Sequence, residues 1–218
     1  LVPVRLARGR GQLRAGWSYV ARRPDILLIL AIVFVQGTFG MNFQMTTALM
    51  ATTVFGKGPG EFGLLGSIMA IGSLTAALLV ARQARPRLRT VLLALAGFAA
   101  SMLAAALAPT YELFAVLLVP VGLSALTILP TCNSIVQLSV EPQLRGRVMA
   151  LYLAIFLGGT PLGSPLIGWI GDAWGARWTL AVGSAAAVLS LAGALVYLMV
   201  YGGVRLRYRR DRSPRLVV

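Results

Sequence analysis

Six apolar blocks, at about residues 26–50, 62–81, 90–108, 113–140, 148–170 and 178–204, constrain this chain more than any other feature. Each is about 19 to 28 residues long, and roughly 20 helical residues cross a hydrocarbon core about 30 Å thick. In lipid the backbone must satisfy its own polar groups, which leaves helices and closed barrels. The strict alternation of barrel strands is absent from these blocks. The expected fold class is therefore an all-α integral membrane protein with six transmembrane helices. Composition agrees: 58% of the 218 residues are hydrophobic and 12% are charged, about half the charged share of a soluble domain.

The net charge of +14 is informative through its placement. Eighteen of the twenty basic residues fall before the first block, between the second and third, between the fourth and fifth, or after the sixth. Lys57 and Arg177 alone fall on the other side. Basic residues stay on the cytoplasmic side during insertion, so both termini are expected to be cytoplasmic. Topology and contact with anionic headgroups account for the arginines, and no nucleic-acid partner is expected. The expected division is a basic cytoplasmic linker at 1–24, a transmembrane bundle at 25–204 and a basic cytoplasmic tail at 205–218. The first 24 residues lack the apolar core and cleavage site of a signal peptide. Nineteen arginines against one lysine suggest a GC-rich bacterial genome, and with it a bacterial cytoplasmic membrane.

Taken as two sets of three, the blocks repeat an order of character. The first and fourth carry amides and hydroxyls, the second and fifth carry small residues, and the third and sixth are mostly Ala, Leu and Val. Three is odd, so the second triplet enters the membrane inverted relative to the first, the plan of secondary transporters. Small-xxx-small spacings such as Gly159-xxx-Gly163 and Gly72-xxx-Ala76 let helix backbones approach closely. Pro120, Pro130, Pro161 and Pro165 each remove a backbone donor and are expected to loosen their helices locally.

No catalytic constellation is legible. The chain has no His, its single Cys132 falls inside the fourth block, and every acid lies at a block end, in a loop or in a tail. Neither an enzyme, a metal site nor a cofactor is expected. Asp25 follows Pro24 where an acid in the first helical turn favours the dipole. The polar content concentrates in the first block, where Gln36, Asn42, Gln44, Thr46 and Thr47 lie in a stretch with no charged side chain from 26 to 56. On a continuous helix Gln36, Phe43 and Thr47 share one stripe and Asn42 points elsewhere. That stripe can line a polar cavity while Asn42 bonds a neighbouring helix.

Residues 141–178, EPQLRGRVMALYLAIFLGGTPLGSPLIGWIGDAWGARW, carry a resemblance. Arg145-Gly146-Arg147 followed by VMALY, the GGTPLGSPLIGW helix, and FGMNFQ followed by VFGKGPGEFGLLGS resemble the C-terminal six helices of major facilitator superfamily transporters. The branch is that of drug and siderophore exporters, including enterobactin exporters. The likeness spans about residues 13 to 204 and implies a 3+3 inverted-repeat bundle, half of a 12-helix fold. It also implies secondary active export of small hydrophobic or amphipathic compounds by alternating access, together with an N-terminal six-helix half as partner.

Carried over, the resemblance makes Gln36, Asn42, Gln44, Thr47, Thr131 and Asn133 the candidates for lining a substrate cavity. Arg145, Arg147, Gly168, Asp172, Gly175 and Arg177 become candidates for gating. Gly168-xxx-Asp172-xx-Gly175-x-Arg177 resembles the superfamily's loop pattern with Ala173 in place of its first arginine. From it, Asp172 is expected to cap or pair across helices. Competing expectations are a six-helix half-transporter that dimerises and a non-transporting membrane scaffold whose polar residues only join helices.

Overall fold

The computed structural model describes residues 11–83 and 86–201. The basic tail 205–218 and the arginines at 5, 8 and 10 lie outside the described residues, as does Arg85. The described residues contain no strand, and six stretches are long and apolar enough to cross a membrane. The all-helical expectation holds.

A ten-residue helix, α1 (Gly11–Val20), stands within the expected linker. The first span, Pro24–Val54, is compound: α2 (Pro24–Val35), a π-helical segment Gln36–Gly40, α3 (Phe43–Leu49) and a second π-helical segment Met50–Val54. Spans two to six are α4 (Pro59–Ala81), α5 (Leu88–Ala106), α6 (Tyr111–Ser139), α7 (Pro142–Trp174) and α8 (Ala176–Tyr201). Proline opens α2, α4 and α7, where its missing N–H costs nothing. The Thr110 hydroxyl accepts from Leu113 N–H at 3.3 Å to cap α6.

Two expectations about boundaries change. Arg145 and Arg147 stand on the first turns of α7, because Pro142 starts the helix at what reads as a loop. Likewise α7 runs past Gly168 and Asp172 to Trp174, leaving a one-residue connection at Gly175. Its φ of +95° is the left-handed backbone that suits glycine. The interior prolines do not end their helices. Both α6 and α7 continue unbroken through Pro120, Pro130, Pro161 and Pro165.

Packing follows the two triplets. Span one packs on α7 and α8, α4 packs on α6, and α5 packs on both α6 and α8. Exchanging the triplets maps one·five onto four·two and three·four onto six·one, so the set of partners has the symmetry of an inverted repeat. The core between them is built on Phe98, Phe114, Leu118, Val121 and Ile128. The two glycine-rich spans stay the least covered. In the most apolar windows of α4 and α7 only 17% and 22% of residues are buried, against 44 to 56% in the others.

Candidate functional site: the broken first span

Span one contains no proline after Pro24, and yet it is the span that breaks. Its local chemistry explains the break. Gly37 and Gly40 carry no side chain to stabilise a regular turn. The Thr38 hydroxyl donates back to Phe34 O at 2.7 Å, a bond that bends helices. The Asn42 amide then takes Thr38 O at 2.7 Å, standing in for a backbone donor. Helix resumes at Phe43.

The break is seated against α7. Gly159 lies so close that a methyl group there would come within 3.0 Å of Gly37 C and Thr38 N. At Gly163 a methyl group would overlap the Thr38 carbonyl oxygen itself. The small residues of α7 thus admit the backbone of span one where it departs from regular helix. The Ser164 hydroxyl donates to Asn42 Oδ1 at 3.0 Å and shares its hydrogen with Thr160 O at 2.9 Å. The expectation that Asn42 bonds a neighbouring helix is met by Ser164.

Gln36 lies inside the bundle. It is fully buried, donates through Nε2 to Ser190 Oγ on α8 at 3.1 Å, and leaves Oε1 without a hydrogen-bond partner. Thr47 is buried too, its hydroxyl returned to Phe43 O at 2.5 Å. The stripe of Gln36, Phe43 and Thr47 presumes one continuous helix. The π-helical turn and the break interrupt the fixed angle per residue between Gln36 and Phe43. Gln44 alone of the first-span candidates is exposed, with no hydrogen bond among the described residues.

On α6, Thr131 is buried and its hydroxyl oxygen has no partner. Asn133 is half-buried and accepts from Gln137 Nε2 at 2.5 Å. The described side chains therefore divide the six cavity candidates. Gln36, Asn42, Thr47 and Thr131 lie inside the bundle, and Gln44 and Asn133 reach its surface.

Sequence reasoning missed two polar junctions. At the end of the bundle where α2 starts, Arg23 pairs with Asp25 at 2.7 Å. The same guanidinium donates to Tyr19 Oη on α1 at 3.1 Å and to Ser139 O at the close of α6 at 3.4 Å. The Asp25 hydrogen bond, the largest influence, raises the Arg23 guanidinium further above its ordinary value. At the opposite end Arg177 donates to Ala106 O, the last carbonyl of α5, at 2.7 Å, a favourable place for a cation on the helix dipole. Asp172 is exposed and makes neither ion pair nor hydrogen bond among the described residues. In this conformation Arg177, not Asp172, joins the helices. The signal was present in Arg177 itself, the one arginine on its side of the membrane.

No group of metal-ligating side chains exists among the described residues. Six apolar spans in two inverted triplets, with a broken, polar first helix cradled by glycines of the fifth, define a transporter-type membrane bundle. The sequence model of the Major Facilitator Superfamily matches residues 28–215, and the chain belongs to that superfamily of membrane transporters. No curated protein and no solved structure matches it.

Proposed function

We propose that these six spans form the C-terminal half of a secondary active transporter that exports small hydrophobic or amphipathic compounds from a bacterial cell by alternating access. The observation that carries the pairing is the uncovered state of α4 and α7, against the deeper burial of the other four spans. Apolar faces of this extent are where a second six-helix bundle packs and slides. The exporter assignment rests on the GGTPLGSPLIGW and FGMNFQ segments. Both termini face the cytoplasm on the distribution of arginines.

Within that reading Gln44 and Asn133 are the cavity-facing polar groups, and Gln36, Asn42, Thr47 and Thr131 hold the helices that carry them. Asp172, without a partner inside the bundle, pairs with the opposite half to hold one gate state. Transport that is undiminished in Asp172→Ala removes that last assignment.

Cysteine labelling tests the proposal directly, because the native Cys132 is buried. A water-soluble thiol reagent applied to membranes of cells expressing the chain should modify Gln44→Cys and spare Gln36→Cys. Complete protection of Gln44→Cys would favour a scaffold without a water-filled pathway. A detergent-solubilised mass of two chains, with transport, would favour the dimerising half-transporter.

A further inference from the structure

A narrow groove runs along the outside of the bundle between span one and α8, on a different pair of helices from the uncovered α4 and α7. It encloses about 380 Å³ and is bounded by Leu28, Ile32 and Phe39 on one wall and Val182, Leu189 and Gly193 on the other. The two walls belong to antiparallel helices. Its Leu28–Gly193 end is therefore the end where span one starts and α8 finishes, and its Phe39–Val182 end is the deep one.

Three observations specify what fits. The first is length: Leu28 to Phe39 at 1.5 Å per residue spans roughly 16 Å, close to the ~15 Å depth of one leaflet of a 30 Å hydrocarbon core. Its eleven lining residues fall well short of the roughly 20–30 per side on which a second protein chain seats stably.

The second is chemistry. Ser190 is the one polar side chain on the walls, and its hydroxyl is already spent, accepting from Gln36 and donating to Ala186 O at 2.8 Å. Nothing in the groove awaits a polar ligand, so its occupant is hydrocarbon.

The third is charge at the mouth. Arg22 lies just before α2 at the Leu28 end, exposed, and its guanidinium makes no bond among the described residues. Its neighbour Arg23 is committed to Asp25, Tyr19 and Ser139. An exposed cation just ahead of the helix that forms one wall, at the end of the bundle where the groove starts, complements an anionic phospholipid.

We propose that the groove is a specific site for an anionic phospholipid of the leaflet at the arginine-rich end, one acyl chain lying between span one and α8 and the phosphate against Arg22. The proposal is independent of what the protein transports.

Native mass spectrometry of the full chain, solubilised in mild detergent and supplied with equal amounts of phosphatidylglycerol and phosphatidylcholine, tests it. The expected result is one retained phosphatidylglycerol per chain. Ala185 and Gly193 line the groove, and a side chain at Gly193 meets no atom within 4 Å. Gly193→Leu alone, and more so with Ala185→Leu, should lower retention about tenfold. Gly158→Leu on α7, also facing open space, should leave retention unchanged. Arg22→Gln should abolish the preference for phosphatidylglycerol while a lipid is still held. It alters no described contact, so it keeps the test decisive if the filled variants fail to fold.

A diazirine placed in the acyl chain should cross-link to peptides covering 24–39 and 182–193. Equal retention of both lipids, retention unmoved by Gly193→Leu, or cross-links spread evenly over all six spans would each overturn the proposal. So would a bound mass equal to a second chain.

Discussion

Spans one and four hold equivalent places in the two triplets, and both are polar for membrane helices, yet they behave in opposite ways. Span four, α6, has two interior prolines and stays continuous from Tyr111 to Ser139. Span one has none and breaks at Met41 and Asn42 between a π-helical turn and α3. Proline deletes one backbone donor, and neighbouring groups absorb that in a packed bundle. The carbonyl that Pro130 frees is that of Leu126, four residues back, and the Tyr152 hydroxyl ties the same stretch of α6 to α7 by donating at 3.1 Å to Leu129 O. A break through several residues frees more backbone, and here Asn42, Thr38 and the glycines of α7 supply the compensation. The break is made by its own glycines and polar side chains and is held by the surface facing it.

The largest effects should come from that surface. A methyl group at Gly163 has to displace the Thr38 carbonyl, so Gly163→Ala should destabilise the detergent-solubilised protein by about 3 kcal/mol, the upper end for overpacking. Gly158→Ala, one helix face away in open space, should instead stabilise by up to about 1 kcal/mol through helix propensity. Thermal unfolding of the pair decides it: equal behaviour would show that α7 does not seat the break. Span four has its own close crossing, where Gly122 meets the Met69 carbonyl and Gly72 the Val119 carbonyl on either side of the α4·α6 contact. Gly122→Ala should therefore cost about as much as Gly163→Ala. Unequal losses would separate the two triplets energetically despite their equivalent partners.

Next in size is Asn42. Its removal orphans the buried Thr38 carbonyl and loses the Ser164 bond, so Asn42→Ala should cost about 2 kcal/mol. Ser164→Ala should cost less than about 1 kcal/mol, since Asn42 keeps its bond to Thr38. Similar unfolding temperatures for the two variants would place the effect in the interhelical bond and not in the break.

Much of this arrangement was legible in the sequence and one part was not. Span number follows from block length, because hydrocarbon thickness sets helix length and hardly depends on neighbours. Asn42 as an interhelical bond was legible because an amide in lipid seeks a partner. The register through the break was not, because a stripe read at a fixed 100° per residue passes through Gln36–Gly40, and a π-helical turn changes that angle. The signal for it lies in two places far apart in sequence: Gly37 and Gly40 in one span, Gly159 and Gly163 in another. Only their contact shows that they act together. The prolines mark no break for the converse reason: each removes a single donor, and α6 and α7 run on through them.

Gln36 sharpens the comparison by separating structural from functional polarity. It spends its Nε2 on Ser190 and leaves Oε1 buried without a partner against Gly40. Replacing the side chain with one of similar shape removes an interhelical bond worth about 0.6 kcal/mol and also relieves an unpaired acceptor. Gln36→Leu should therefore change stability by less than about 1 kcal/mol in either direction, as read by thermal unfolding. Transport lost at preserved stability would mean that the orphaned carbonyl serves the transported compound or its coupling ion.

The smallest effect belongs to span four. Pro120 is exposed and the helix passes through it unbroken, so restoring the backbone donor in Pro120→Ala should raise stability by no more than about 1 kcal/mol, far below the ~3 kcal/mol propensity difference for an isolated helix interior. The sign is the test, because every destabilising variant above acts on a close contact and this one acts on none. A fall in unfolding temperature would mean that the ring packs against something the continuous helix does not reveal. A rise accompanied by slower transport would mean that the missing donor is kept for bending, and the two spans would then differ in when they depart from regular helix: span one in the conformation described, span four during the transition.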